Sequence, residues 1–311
     1  MPSPEPPFPR LRAALGAGFL ATALLALGFQ LWLPRVLPTR ADDQAVADVL
    51  ARESRPGDVV LLHPWWTERA RLFVPPGLPV IGYLGDEGDA LLEHPRIWVL
   101  AQPRLPRTAE SEFARAFLPG RTPLDASRAL GSYTLQLYRN GRARSVRFSA
   151  AEAMETASAV VDLPGQGRLG CPREGSAFRC PGGARVETSW HEVLYQPARC
   201  LFVAPPGGTG TVEITFEGVP PADVLRFEAA IVWEHAWKHT DNLTPLNAQL
   251  LDADTGTPLA SLVVRPGTEG FVAAEAKAGS RRLRLRVQSD RADERETCLR
   301  LRALQTLEGA R

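Results

Sequence analysis

The hydrophobic pattern of this 311-residue chain changes character three times. Residues 13–33 are uncharged and mostly apolar, long enough for one helix to cross a hydrocarbon core of about 30 Å. Arg10 and Arg12 precede the run and Trp32 stands near its outer end, where an amphipathic ring suits the headgroup layer. From 43 to 54 the apolar positions Ala45, Val46, Val49 and Leu50 keep helical spacing, with acids at the start. Pro56-Gly57-Asp58 ends that helix, and Val59 to Leu62 is a continuous apolar run, as in a strand covered on both faces. Residues 79–82 and 97–100 read as further short strands, and 68–73, 86–93 and 109–117 as helical patches. This alternation predicts a small parallel α/β domain of Rossmann-like type. Residues 132–139 alternate with period two before Asn140-Gly141, and are expected to be an edge strand that closes the domain near 141.

Beyond about 157 strand-like segments follow one another without helices between them, separated by turns such as Pro206-Gly207-Gly208 and Asp254-Thr255-Gly256. In residues 281–287 the alternation is clean, with Leu283, Leu285 and Val287 facing in and arginines facing out. The spacing predicts an antiparallel β-sandwich, a jelly roll. The expected fold class is therefore α+β and multidomain: a tail over 1–12, a transmembrane anchor over 13–33, an α/β domain over 41–141 and a β-sandwich over 157–305.

Composition changes this picture little. A formal net charge of +1 gives no electrostatic case for nucleic acid. The apolar run continues to Leu33 and meets Pro34-Arg35 without a small-x-small site, which favours an uncleaved anchor over a cleaved signal peptide. Cysteine usage points the same way. Four cysteines, an even number, suggest two disulfides in an exported chain. Three connectivities are possible. Cys171 and Cys180 flank a short Pro/Gly/Ser-bearing loop, while Cys200 opens one strand and Cys298 lies in the last, so Cys171–Cys180 with Cys200–Cys298 is the expected pairing. The chain is expected in the inner (cytoplasmic) membrane, single-pass, with its soluble domains in the periplasm.

Two patches carry candidate chemistry. His235, Trp237, Lys238, His239 and Asp241 form the denser one. On a strand, His235, Trp237, His239 and Asp241 share a face. Aromatic faces and planar polar groups suit pyranose rings, so the patch is a candidate glycan site. His235, His239 and Asp241 are also a conceivable ligand set for a metal, and the same residues can be an ordinary polar strand end. His63, Trp65 and Trp66 follow the first buried strand, at the end where open α/β sheets bind ligands. They can stack on a sugar, or the tryptophans can cover the sheet or pack against the second domain. No Gly-x-Gly-x-x-Gly, Walker, Gly-x-Ser-x-Gly or His-Glu-x-x-His pattern is present. No catalytic residue, metal site or cofactor is expected.

Several segments resemble a known family. Residues 55–61 (Arg-Pro-Gly-Asp-Val-Val-Leu), 96–100 (Arg-Ile-Trp-Val-Leu) and 132–138 (Ser-Tyr-Thr-Leu-Gln-Leu-Tyr) follow a membrane helix and an acidic helix. This order resembles the extracytoplasmic C-terminal region of bacterial polytopic glycosyltransferases of the dolichyl-phosphate-mannosyltransferase-like class. The Trp190-His-Glu-Val193 and Arg199-Cys200-Leu201-Phe202 segments are similar to the cysteine-bearing β-sandwich into which some members continue. The catalytic acids of that class lie in a many-helix membrane domain, and this chain has one such helix, so no catalytic residue carries over. The resemblance implies a compartment, an architecture and an association with envelope glycans. The resulting expectation is a membrane-anchored, non-catalytic protein whose sandwich binds envelope polysaccharide or a glycosyltransferase partner. The alternatives are a subunit or remnant of a glycosyltransferase, or a metal-dependent hydrolase.

Overall fold

Helix α1, Pro9–Trp32, is the apolar run of the sequence. Its stretch Ala14–Trp32 is long and apolar enough to cross a membrane by length and composition, and none of it is buried against protein. A membrane anchor and a signal sequence share these properties. The computed structural model describes residues 9–32, 37–64, 67–82, 90–102, 107–194, 196–232, 244–268, 270–290 and 295–307. The chain divides into two units, with the boundary between Ala143 and Arg144.

In the first unit, α2 (Arg40–Glu53) starts where Thr39 and Asp42 form a reciprocal cap. The Asp42 N–H donates to Thr39 Oγ1 at 3.2 Å, and the Thr39 N–H donates to Asp42 Oδ2 at 2.9 Å. Its Val46, Val49 and Leu50 stripe is buried on one face of a six-stranded sheet, together with Val60, Leu62, Trp98, Leu100 and Leu135. The strands are β1 (Asp58–His63), β2 (Val80–Gly82), β3 (Arg96–Ala101), β4 (Arg121–Pro123), β5 (Arg128–Leu130) and β6 (Tyr133–Asn140). Helix α3 (Arg107–Phe117) covers the other face, where Phe117 packs with Val59, Leu61, Ile97 and Val99. The continuous apolar character of β1 and β3 follows from this double cover.

The sheet is mixed, which corrects the expectation of a parallel one. Strands β2, β1 and β3 are parallel, but β6 runs antiparallel to β3, and β4 and β5 run antiparallel to β6. Among the described residues of the connection from β1 to β2, the helical element is a 3-10 turn, Glu68–Leu72. Pro64, Pro75, Pro76 and Pro79 lie in this connection, and a full crossover helix does not form across so many missing N–H groups. Of the helical patch expected over 86–93, residues 90–93 form a turn and 86–89 lie outside the described residues. Strand β6 is interior, not an edge, because the two short strands β4 and β5 pair along its outer side.

The second unit is an antiparallel β-sandwich. Its strands are β7 (Arg144–Ser149), β8 (Ser158–Leu163), β9 (Gly167–Gly170), β10 (Arg173–Glu174), β11 (Ala177–Arg179), β12 (Arg185–Val193) and β13 (Gln196–Ala204). They continue as β14 (Thr211–Phe216), β15 (Val224–Ile231), β16 (Leu246–Asp252), β17 (Pro258–Val264), β18 (Val272–Lys277), β19 (Leu283–Gln288) and β20 (Thr297–Thr306). One sheet has the order β10-β11-β12-β13-β20-β15-β18, with β7 also on β20; the other has the order β17-β16-β19-β14-β8-β9. Val161, Val212, Ile214, Phe216, Leu250, Leu285 and Val287 from the second sheet meet Val186, Leu201, Val203, Phe227, Leu299 and Leu301 from the first. Period-two burial is plain in β19, where Leu283, Leu285 and Val287 are buried between half-exposed arginines. Two disulfides, Cys171–Cys180 and Cys200–Cys298, close within this unit. The second joins the neighbouring strands β13 and β20 on the side of their sheet away from the main core, beside Phe202, Ala230 and Val232.

Candidate functional site

The alternation that sends apolar residues into the sandwich sends polar ones to the outer face of the six-stranded sheet. Register then assembles them. Asp162 of β8, Thr211 of β14, Gln288 of β19 and Asn247 of β16 stand side by side across four strands. One step along the strands, Glu213, Arg286 and Gln249 form a second row. With strands about 4.8 Å apart, the first row spans roughly 14 Å. Together these seven residues line a groove of about 430 Å³.

Glu213 is the fixed point of the groove. It is only 5% exposed. Arg286 Nε and Nη2 donate to its Oε1 at 2.8 and 2.6 Å, and Arg168 Nη2 lies 2.7 Å from its Oε2. Arg284 Nη1 adds a third positive charge at 3.8 Å. A buried carboxylate needs such partners, and Glu213 has them on both oxygens. It is therefore taken up in structure.

The other groove side chains differ. Among the described residues, the side chains of Asp162, Thr211, Asn247 and Gln249 make no hydrogen bond within the protein, while Gln288 donates to Thr209 O at 3.5 Å. Two amides, a hydroxyl and a carboxylate thus present donors and acceptors to the solvent on a rigid ladder. Asp162 stands without a second available carboxylate among the described groove residues. Among the described residues no cluster of three His, Cys, Asp or Glu is placed to hold a metal ion.

The groove lies at one end of its sheet. Thr211 opens β14, Gln288 closes β19 and Asn247 is the second residue of β16. The chain crosses from β15 to β16 at this end. It re-enters at Thr244 and Pro245, whose carbonyls accept from Arg295 Nε at 2.9 Å and Ser289 Oγ at 3.5 Å. The sequence candidates His235, Trp237, Lys238, His239 and Asp241 fall in this crossing and lie outside the described residues. Trp65 and Trp66 also lie outside them. His63 is described, and it corrects the reading of that patch: the side chain is buried and its ring stacks on Phe113 of α3 with centroids 4.1 Å apart. An imidazole covered by a helix offers no face to a sugar.

Sequence reasoning did not single out Asp162, Glu213, Asn247, Gln249 or Gln288. Each sits at an outward position of an alternating strand, which was the available signal. Which strands are neighbours, and in what register, was not.

No family model matches the chain, and no curated protein matches it. Solved structures give weak matches. One is to the CBM22-1 and GH10 modules of the Clostridium thermocellum endo-1,4-beta-D-xylanase 10B, solved with xylohexaose. It has 10% identity over 53% of this chain and 29% of that chain, with a TM-score of 0.30. Another is to TmCBM27, a carbohydrate-binding module studied for mannan recognition, at 10% identity over 53% of this chain and 99% of that chain, TM-score 0.30. A third is to the CBM22-1 xylan-binding domain of Paenibacillus barcinonensis Xyn10C, at 13% identity over 52% of this chain and 93% of that chain, TM-score 0.28.

Proposed function

We propose that the second unit is a non-catalytic glycan-binding jelly roll and that α1 holds the chain in a membrane, with both units outside the cytoplasm. The observation that carries the binding reading is the set of unbonded polar side chains on the outer face of the sheet, Asp162, Thr211 and Asn247 in one row and Gln249 in the next. Saccharide hydroxyls both donate and accept, and a mixed row of amide, hydroxyl and carboxylate answers both needs. Held on three strands of one sheet, these groups lose little freedom when a ligand arrives, which favours affinity. From the sequence alone, His235, Trp237, Lys238, His239 and Asp241 are kept as further candidates for glycan contact; they lie outside the described residues. Trp237 would supply the aromatic face. The two disulfides support an oxidising compartment, and a periplasmic position next to envelope polysaccharide is the corresponding location.

The test is a glycan array on the full chain in neutral detergent. The wild type is expected to bind a defined envelope saccharide, and Asn247→Ala with Gln249→Ala is expected to abolish that binding, as is Trp237→Ala. No binding to any saccharide, or binding unchanged by the Asn247/Gln249 pair, would overturn the proposal.

A further inference from the structure

Two sequence segments of the second unit, residues 190–193 and 199–202, meet in one hairpin. Strands β12 and β13 pair along their whole length, and Trp190 stands directly opposite Arg199. Strand β13 pairs with β20 over Leu201, Phe202 and Val203; from Cys200 back to Gln196 its ladder is with β12. This part of the hairpin runs on past the ladder with β20.

Alternation gives the hairpin two unlike faces. Val193, Ala198 and Cys200 lie on one face and are buried. Val186, Leu201 and Val203 belong to the other and are fully buried in the main core. Trp190 shares that core-side face, two positions after Thr188, yet is 67% exposed. Its indole forgoes the burial that its neighbours on the same face obtain. Among the described residues no ring stacks on Trp190, its N–H has no acceptor, and no guanidinium lies over it, although Arg199 is its cross-strand partner. The ring face is open. Polar groups surround it. Thr188 Oγ1 donates to Ala151 O at 2.8 Å, which brings the next residue, Glu152, to the hairpin. Arg199 Nη1 lies 4.0 Å from Glu152 Oε1, with the two side chains 50% and 69% exposed, and a pair of this kind is weak. Glu192 and Pro197, opposite each other and exposed, complete the face.

The size and the charges of this face say what fits it. One indole offers about 150–250 Å² of contact. A stable protein interface takes about 800 Å² from each partner, so the patch matches a ligand of one ring. Arg199 supplies donors, and Glu152 and Glu192 supply acceptors. One cation set among two anions disfavours an anionic ligand. An uncharged ring with hydroxyls around its edge uses both kinds of group, and a pyranose has that form, with C–H groups on its faces. We propose that Trp190 is a stacking platform for one neutral pyranose residue, whose hydroxyls Arg199 and Glu152 bind. This contact rests on the glycan-binding reading of the second unit and lies on the other sheet from the groove.

The experiment uses the full chain in a detergent without sugar headgroups. Methyl β-D-glucopyranoside, methyl β-D-galactopyranoside and methyl α-D-mannopyranoside are titrated one at a time and followed by saturation-transfer NMR. Saturable binding of at least one is expected, with the strongest transfer to the C–H protons of one ring face. Trp190→Ala should weaken it at least about tenfold, because the stacked apolar area goes with the ring. Trp190→Phe should weaken it less, since a phenyl ring keeps part of the face. The uronic acid of the sugar that binds should bind more weakly than the neutral sugar. Binding lost in Trp190→Ala and retained in Asn247→Ala with Gln249→Ala supports the platform even where the groove fails. Binding lost in the groove pair and unchanged in Trp190→Ala overturns the platform and leaves the groove standing. No binding of any of the three glycosides overturns it, as does tighter binding of the uronic acid. A wild-type dimer that Trp190→Ala dissociates, with glycoside binding unchanged, assigns the face to a second copy of the chain instead.

Discussion

Removing the two disulfides one at a time separates two explanations of what holds the second unit together. Cys200–Cys298 closes 98 residues and Cys171–Cys180 closes 9. If a bridge acts mainly by restricting the unfolded chain, the long closure contributes about 4.7 kcal/mol and the short one about 2.6 kcal/mol. Both double-alanine variants delete the same two sulfur atoms, so the cost of the small cavity left behind largely cancels. Cys200→Ala with Cys298→Ala should therefore destabilise by about 2 kcal/mol more than Cys171→Ala with Cys180→Ala. The assay is amide exchange of the Thr211–Phe216 strand, followed by mass spectrometry as guanidinium is raised. This strand is central in its sheet and reports the second unit without interference from the first. A short-bridge variant that loses as much stability as the long-bridge variant would refute the chain-entropy reasoning. So would a long-bridge variant that loses less than about 1 kcal/mol.

Phe216 is fully buried between the sheets, and Phe216→Ala should cost about 3–5 kcal/mol in the same exchange assay. Gly131 has φ +60°, and a Cβ there would stand 1.8 Å from Asp42 Oδ1. Gly131→Ala should accordingly disrupt the α2 cap as well as strain the turn, accelerating exchange at the start of α2. The Asp42 carboxyl is held below its ordinary value of 3.8, chiefly by the hydrogen bond from the Thr39 backbone N–H. Its contribution to stability is therefore complete above that ordinary value and lost as pH falls through the lower folded one. Asp42→Asn should flatten the acid limb of an unfolding-versus-pH curve, and Thr39→Ala should lower stability near neutrality by about 1 kcal/mol.

Regular periodicity was what the sequence revealed most directly. Helix α2 was legible because Val46, Val49 and Leu50 repeat at helical spacing after an acidic start. Strand β19 was legible because Leu283, Leu285 and Val287 alternate with arginines. Cys171 and Cys180 sit at the two ends of one short loop, and Cys200 and Cys298 in strand-like runs, so their positions were visible as well. Pairing order was hidden. Strands β4 and β5 span three residues each and show too few positions for a period, so β6 looked like an edge. The groove was hidden for the same reason. Asp162 and Asn247 are far apart in sequence, and only the ladder through Thr211 and Gln288 brings them into one row. Aromatic and histidine clusters attract notice in a sequence, whereas dispersed amides on outward positions do not. His63 illustrates the cost: its chemistry was visible, but the covering Phe113 lies fifty residues away on α3.

Strand β7 also determines how the second unit answers a mechanical load. Its first residue, Arg144, pairs with Thr306 near the end of β20, so the two ends of the unit leave from the same end of one antiparallel ladder. A pull between them opens that ladder like a zipper, one rung after another, and never loads all the rungs at once. Such a geometry yields at low force. The peel runs through the six residues of β7 and then meets β8, which is stitched into the other sheet beside β14. Force applied at the unit's two ends would thus act first on the β7–β20 rungs and on the β15–β20 rungs at the same end of β20, one after another.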